Sequence, residues 1–125
     1  MIDEKNVLLI GWDLEAVDFA NWPGLNAVKL HGALNADCEA LDALGYQAGQ
    51  CFIRDQNSAA DDVLAALNSK IYSCGLIGAG VRKVEQHFSL FEVLINTVHQ
   101  ATPSAKLCFN TGPTDSVEAV QRWLD

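Results

Sequence analysis

Short apolar runs alternate with helix-like segments four times along the chain. The first run, Val7-Leu8-Leu9-Ile10, is continuous and ends at Gly11, which is typical of a strand covered on both faces of a parallel sheet. Further short apolar runs predict strands at 46–53, 71–77 and 105–109, the first of them interrupted by Gly49 and Gln50.

The segments between these runs have the spacing of amphipathic helices. In the first of them, apolar residues recur every three or four positions, at Leu30, Leu34, Cys38 and Leu41. Gly45 then stands where a glycine commonly ends a helix. Ser58 is the predicted N-cap of the second helix, and the last two helices are predicted to open with the capping boxes Ser89–Glu92 and Asp115–Glu118.

The order βαβαβαβα determines the predicted fold class. Parallel strands need crossover connections, and right-handed helical crossovers place helices on both faces of the sheet. We therefore predict one α/β domain over residues 1–125, a three-layer αβα sandwich around a four-stranded parallel sheet. The expected strand order is 2-1-3-4.

Charge and hydropathy exclude several kinds of partner. The chain of 125 residues has 16 acidic and 8 basic residues, a net charge of −8, which disfavours nucleic acid and anionic membrane surfaces. No run approaches the ~20 apolar residues of a membrane span. The acidic N-terminus does not resemble a secretory signal, so a cytoplasmic location is expected. Most of the acidic excess falls on predicted solvated helix faces, at Asp37, Glu39, Asp42, Asp61, Asp62 and Glu118.

The cysteines predict no metal site. They occur at positions 38, 51, 74 and 108, without a CxxC pair or a Cys–His cluster of zinc-ligand spacing. We expect all four to be reduced, buried thiols that pack as small hydrophobic side chains. The sequence identifies no cofactor.

A ligand site is expected beyond the carboxyl ends of the first and third strands, where the predicted winding reverses. The loops that reach this edge carry the candidate ligand-binding residues Gly78, Gly80, Arg82, Asn110 and Thr111. Glycines let the backbone approach a ligand, and Arg82 could hold a carboxylate or phosphate. The motif is only GxG, however, and it follows the third strand, so a dinucleotide site is disfavoured and tight-turn glycines are the alternative.

Asp13 and His87 are the candidate catalytic residues at the same edge. An imidazole beside a carboxylate could transfer protons near neutral pH. The alternatives are that Asp13 pairs with Arg82 to hold the two loops together, and that His87 only flanks a helix. Trp12 and Trp22 bracket the first loop and either wall a pocket or pack as structural aromatics.

Asp13 and Glu15 are similar to the magnesium-binding acids of response-regulator receivers. A receiver also needs a phosphoacceptor aspartate at the end of its third strand, and Gly78 stands there instead. Two carboxylates supply too few oxygen ligands for magnesium by themselves. A phosphorylation switch is therefore disfavoured.

Several stretches resemble a group of small bacterial α/β proteins, flavodoxin-like or Rossmann-like, that have no assigned activity. The likeness is carried by Val7–Ile10, by Gly78-Ala79-Gly80-Val81-Arg82, by the segment 87–96 and by Lys106-Leu107-Cys108-Phe109-Asn110-Thr111. The resemblance implies an α/β fold and directs attention to the same loops. It implies no reaction.

Two hypotheses about function follow. In the first, the chain binds a small anionic molecule at the carboxyl edge of the sheet, with or without catalysis. In the second, it is a non-catalytic interaction module or a homo-oligomer built through an apolar helix face or the tryptophans.

Overall fold

The computed structural model describes residues 5–112 and 114–124, and its sheet is built of parallel strands. The strands are β1 (Asn6–Trp12), β2 (Gln47–Ile53), β3 (Cys74–Ile77) and β4 (Lys106–Phe109). They lie in the order β2-β1-β3-β4, which confirms the predicted sheet. Because the chain continues from β1 to one side and returns to β3 on the other, the winding reverses between β1 and β3.

Helices cover both faces of the sheet. They are α1 (Ala27–Ala43), α2 (Ala59–Asn68), α3 (Ala79–Arg82), α4 (Phe88–Ala101) and α5 (Ser116–Leu124). One hydrophobic cluster packs α2 and α4 against the sheet, and a second packs α1 and α5 against the opposite face. The three layers are those predicted from the alternation of strands and helices.

Strand β1 lies at the centre of the molecule and contributes to both clusters. Leu8 and Ile10 belong to the cluster under α2 and α4, whereas Val7 and Leu9 belong to the cluster under α1 and α5. Successive side chains of a strand point to opposite faces, so a continuous apolar run is required where both faces are covered.

Several element boundaries differ from the sequence prediction. The residues at 71–73 precede β3, which begins only at Cys74. The residues after β3 form the one-turn helix α3 where a turn was predicted, and neither Gly78 nor Gly80 has a positive φ. The Ser89–Glu92 capping box is wrong, because α4 begins at Phe88, one residue before Ser89.

The ends of α1 follow ordinary capping chemistry. Asn26 accepts a hydrogen bond from the backbone N–H of Lys29 at 2.9 Å, which satisfies one of the free donors of the first turn. At the other end Gly45 has a φ of +93°. That conformation strains any residue with a Cβ, so the predicted glycine stop is confirmed.

Two residues differ in burial from what their side chains suggest. Phe88, a large apolar residue at the start of α4, is 64% exposed. Asp37, expected on a solvated face, is only 6% exposed. It lies three residues after Leu34 and four before Leu41, which places it on the buried side of α1.

The prediction of four reduced, buried cysteines is also wrong. Cys74 and Cys108 form a disulfide between neighbouring strands, and both are buried in the cluster under α1 and α5. They are separated by 34 residues in sequence, and only the pairing of β3 with β4 brings them together. Cys51 is a buried free thiol, and Cys38 is a half-buried one.

Over the described residues, no helix has both the length and the apolar character that crossing a membrane requires.

Candidate functional site

The loops after β1 and β3 lie side by side at the carboxyl edge of the sheet. The backbone N–H of Gly78 donates to the carbonyl of Ile10 at 2.9 Å, and the N–H of Asp13 donates to the carbonyl of Ile53 at 2.8 Å. These bonds extend the parallel pairing beyond the strands on both sides of β1. The edge at which the winding reverses is therefore well ordered by backbone contacts.

A cavity of about 100 Å³ opens at this edge. It lies between the sheet, α1 and the segment 13–26 that joins β1 to α1. Apolar residues form most of its wall: Leu9, Ile10, Trp12, Val17, Trp22, Leu25, Leu30, Leu34, Phe52, Leu76 and Ala79.

The absence of a side chain at Gly11 contributes to the volume of the cavity. It belongs to the wall, and a methyl group built at its Cβ position would have no heavy atom within 4 Å. In β1 it follows Leu9 on the face that α1 covers, and it pairs in register with Phe52 of β2. A larger residue here would project into the open space.

Three polar side chains of the wall are hydrogen-bonded within the protein, whereas the indole Nε1 of Trp12 is buried without a partner among the described residues. Asn110 accepts from the backbone N–H of Ala79 at 2.8 Å and donates to Ser116 Oγ at 3.0 Å. Gln50 Nε2 donates to the Sγ of Cys38 at 3.1 Å. Asn110 thus joins the start of α3 to the start of α5, and the cavity offers few free polar atoms.

Arg82 contacts Asn110 of the cavity wall and has no carboxylate partner among the described residues. One guanidinium nitrogen donates to the backbone carbonyl of Asn110 at 2.6 Å, and the group lies 5.9 Å from the centre of the Phe109 ring. Its Nε is buried and has no hydrogen-bond partner in the described part of the chain. No carboxylate of residues 5–112 or 114–124 lies within 4.0 Å of it.

Asp13 is held by groups other than Arg82. Its Oδ2 lies 3.4 Å from the Nε of Arg54, and its Oδ1 accepts from the backbone N–H of Glu15 at 3.0 Å. The predicted Asp13–Arg82 ion pair is therefore wrong. Arg54 follows β2, the strand beside β1, so its side chain reaches Asp13 from the side opposite to α3.

His87 packs on Trp12. The two ring centres are 4.8 Å apart and the planes are tilted by 56°. Trp12 lines the cavity, whereas neither His87 nor Asp13 does. The fold therefore brings His87 and Asp13 to one edge of the sheet, but the indole of Trp12 adjoins the cavity in place of the imidazole.

Thr111 belongs to the loop between β4 and α5 and is bonded to Asp115. The Asp115 carboxylate accepts from the backbone N–H and the hydroxyl of Thr111 and from the N–H of Gly112. Burial pushes the pKa of Asp115 upward, but these hydrogen bonds outweigh it and lower the pKa below its ordinary value. Thr111 is exposed and lies outside the cavity wall.

Asp37 adds a buried carboxyl group behind the cavity. Burial raises its pKa, a hydrogen bond with Ser116 opposes that change, and the nearby charge of Asp115 adds to it. The Asp37 Oδ2 atom is buried without a hydrogen-bond partner among the described residues. Ser116 therefore connects this carboxyl to Asn110 and to the cavity wall.

Metal and thiol chemistry receive little support from the geometry. Within the described ranges, no three His, Cys, Asp or Glu side chains are grouped so that they could hold a metal ion. Burial raises the pKa of the Cys51 thiol to about 11, and the charge of Asp62 adds to this effect. A thiol with such a pKa is a poor nucleophile near neutral pH.

The predicted site residues and the residues of the cavity wall overlap in part. Of the candidate residues, Gly78, Gly80 and Asn110 line the cavity, and Arg82 borders it through Asn110. The apolar wall was not predicted as a site. One signal for it was present, since the loop between β1 and α1 contains Val17, Trp22 and Leu25, which are unusually apolar for a loop.

In comparisons with known proteins, no family model and no curated protein sequence matches this chain.

Proposed function

We propose that the chain binds a small organic anion at the carboxyl edge of its sheet, with the charged group of the ligand at Arg82. The observation that carries the proposal is the guanidinium of Arg82, which has no carboxylate partner among the described residues and whose Nε is buried without a hydrogen-bond partner there. Burying part of a charge without a counter-charge is unfavourable, and a carboxylate or phosphate ligand would relieve that cost.

The surroundings of Arg82 support this proposal. Arg82 donates to the backbone carbonyl of Asn110, which belongs to the cavity wall, and Gly78 and Gly80 belong to the same wall. Ligands of open parallel sheets collect at such a reversal of winding.

The test is the affinity for acetate, benzoate, phosphate and phenyl phosphate, measured by calorimetry and by thermal shift. We expect at least one of these anions to bind and Arg82→Gln to weaken that binding about tenfold or more, because a charged hydrogen bond is lost. Lys70→Gln is the matched control, since Lys70 is exposed near the end of α2 at the opposite edge of the sheet. If no anion binds, or if both variants weaken binding equally, the proposal is wrong.

A self-associating interaction module is the second candidate. Large apolar side chains on the surface favour it, notably Val28 at 82%, Ile71 at 85%, Phe88 at 64% and Trp123 at 55% exposure. Exposed apolar surface drives association when it forms a continuous patch. Light scattering over a concentration series tests this candidate, and a strict monomer at the highest concentration would contradict it.

A further inference from the structure

The cavity beside Gly11 is built for an apolar group. Three of its polar wall side chains, Gln50, Asn110 and Ser116, make hydrogen bonds within the protein, while the indole Nε1 of Trp12 is buried without a hydrogen-bond partner among the described residues. The remaining wall is aliphatic, aromatic or glycine. Water is a poor occupant of such a space because a buried water needs two to four polar partners.

The size of the cavity limits what it can hold. Its volume is about 100 Å³, whereas an apolar cavity of about 150 Å³ stays dry and accepts benzene. The space at Gly11 therefore fits one aromatic ring, with small movements of the wall, or a branched chain of about four or five carbons. It has no room for a fused ring system or a nucleoside.

We propose that the ligand carries one compact apolar group, a phenyl ring or a branched aliphatic chain, and that this group occupies the cavity beside Gly11. The inference rests on the proposed function, because Arg82 is taken to hold the anionic end of the same molecule. The ligand class is then a small aromatic or branched-chain carboxylate or phosphate ester.

Asn110 connects the two halves of this site. Its side chain lines the cavity, and its backbone carbonyl accepts a hydrogen bond from Arg82. In this proposal, the apolar group of a small organic acid contacts the cavity wall, and its anionic group binds Arg82. A ligand without the apolar group would leave the cavity empty.

Substitution of Gly11 tests the inference directly. Gly11→Val directs a branched side chain into open space, without a positive φ or a close neighbour to oppose it. Gly11→Ala is the milder variant if Gly11→Val fails to fold. Gly32→Val is the matched control, since Gly32 is exposed on α1 and a Cβ there also meets nothing within 4 Å.

Calorimetric titrations with acetate, isovalerate and benzoate give the readout. In the wild type we expect isovalerate or benzoate to bind at least about tenfold more tightly than acetate, because apolar area is buried. Gly11→Val should remove that advantage, and Gly32→Val should retain it. Equal affinity for the three anions, or an advantage that survives in Gly11→Val, overturns the inference and leaves the proposed function standing.

Toluene separates the inference from the proposed function if no anion binds. Methyl NMR shifts at the cavity wall, present in the wild type and absent in Gly11→Val, would support an apolar pocket while the anion site fails. No shift in either protein would overturn the apolar pocket as well. The methyl groups to follow are those of Leu9, Leu30 and Leu34.

Discussion

Asp37 illustrates how a charged residue can be buried when its helix position demands it. Its spacing from Leu34 and Leu41 turns it toward α5, where it bonds Ser116. The rule that acidic residues on helices are solvated therefore fails here, and the i+3 and i+4 relation to the apolar stripe was the available signal. A buried carboxyl with an unpartnered oxygen is unfavourable in its ionised form.

Stability should depend on the ionisation of Asp37. Because burial raises its folded-state pKa above 3.8, the folded protein binds more protons than the unfolded chain above that pH, and this residue's contribution falls as the pH rises. We expect Asp37→Asn to raise the Tm near pH 7 by a few degrees, and the difference to shrink toward pH 4. Differential scanning calorimetry across this range gives the measurement. A Tm difference that does not change with pH would contradict the role of ionisation.

At the scale of single elements, the loop between β4 and α5 depends on one carboxylate. The Asp115 carboxylate accepts hydrogen bonds from the backbone N–H groups of Thr111 and Gly112, and Asp115 lies directly before α5. A negative charge at this position also stabilises the helix, because the N-terminal end of the helix dipole is positive. The predicted start of α5 is confirmed, although the hydrogen bonds of Asp115 run back to the loop.

Replacing Asp115 should destabilise the protein. We expect Asp115→Ala to lower the free energy of unfolding by about 1–2 kcal/mol near neutral pH, through loss of charge-assisted hydrogen bonds. Since the folded pKa of Asp115 is lowered, its contribution is present above 3.8 and is lost as the pH falls through the folded pKa. Urea unfolding at several pH values measures it. Glu118→Ala, on an exposed position of α5, should change stability by less than about 0.5 kcal/mol.

For the whole molecule, the disulfide couples the C-terminal half of the sheet. Cys74 and Cys108 close a loop of 34 residues that contains α3 and α4. Cross-linking a loop of this length restricts the unfolded chain and stabilises the fold by about 4 kcal/mol in the chain-entropy model. Disulfides are rare in the cytoplasm, whereas the sequence predicted a cytoplasmic location.

Counting the reactive thiols tests whether Cys74 and Cys108 are cross-linked. In denaturant without reductant we expect two reactive thiols, from Cys38 and Cys51, and four after reduction. Reduction should also lower the midpoint of urea unfolding. The double variant Cys74→Ala/Cys108→Ala is the control, because its midpoint should not respond to reductant. Four thiols in protein that was never reduced would show that the two strands are not cross-linked.

The sequence predicted only three residues of the cavity wall. Gly78, Gly80 and Asn110 were expected at the carboxyl edge because the ends of parallel strands share one edge. The ion pair of Asp13 was missed because Arg54 is 41 positions away, and its approach depends on the pairing of β1 with β2. The cavity itself depends on the absence of a side chain at Gly11 beneath a folded loop.

The sequence alone determined the alternation of strands and helices, the buried central strand and the glycine end of α1. These features depend on periodicity and backbone conformation, which are properties of neighbouring residues. Tertiary structure decided the Cys74–Cys108 pair, the counterion of Asp13 and the apolar cavity beside Arg82. Each of these depends on which residues meet across strands and layers, and spacing along the chain does not contain that information.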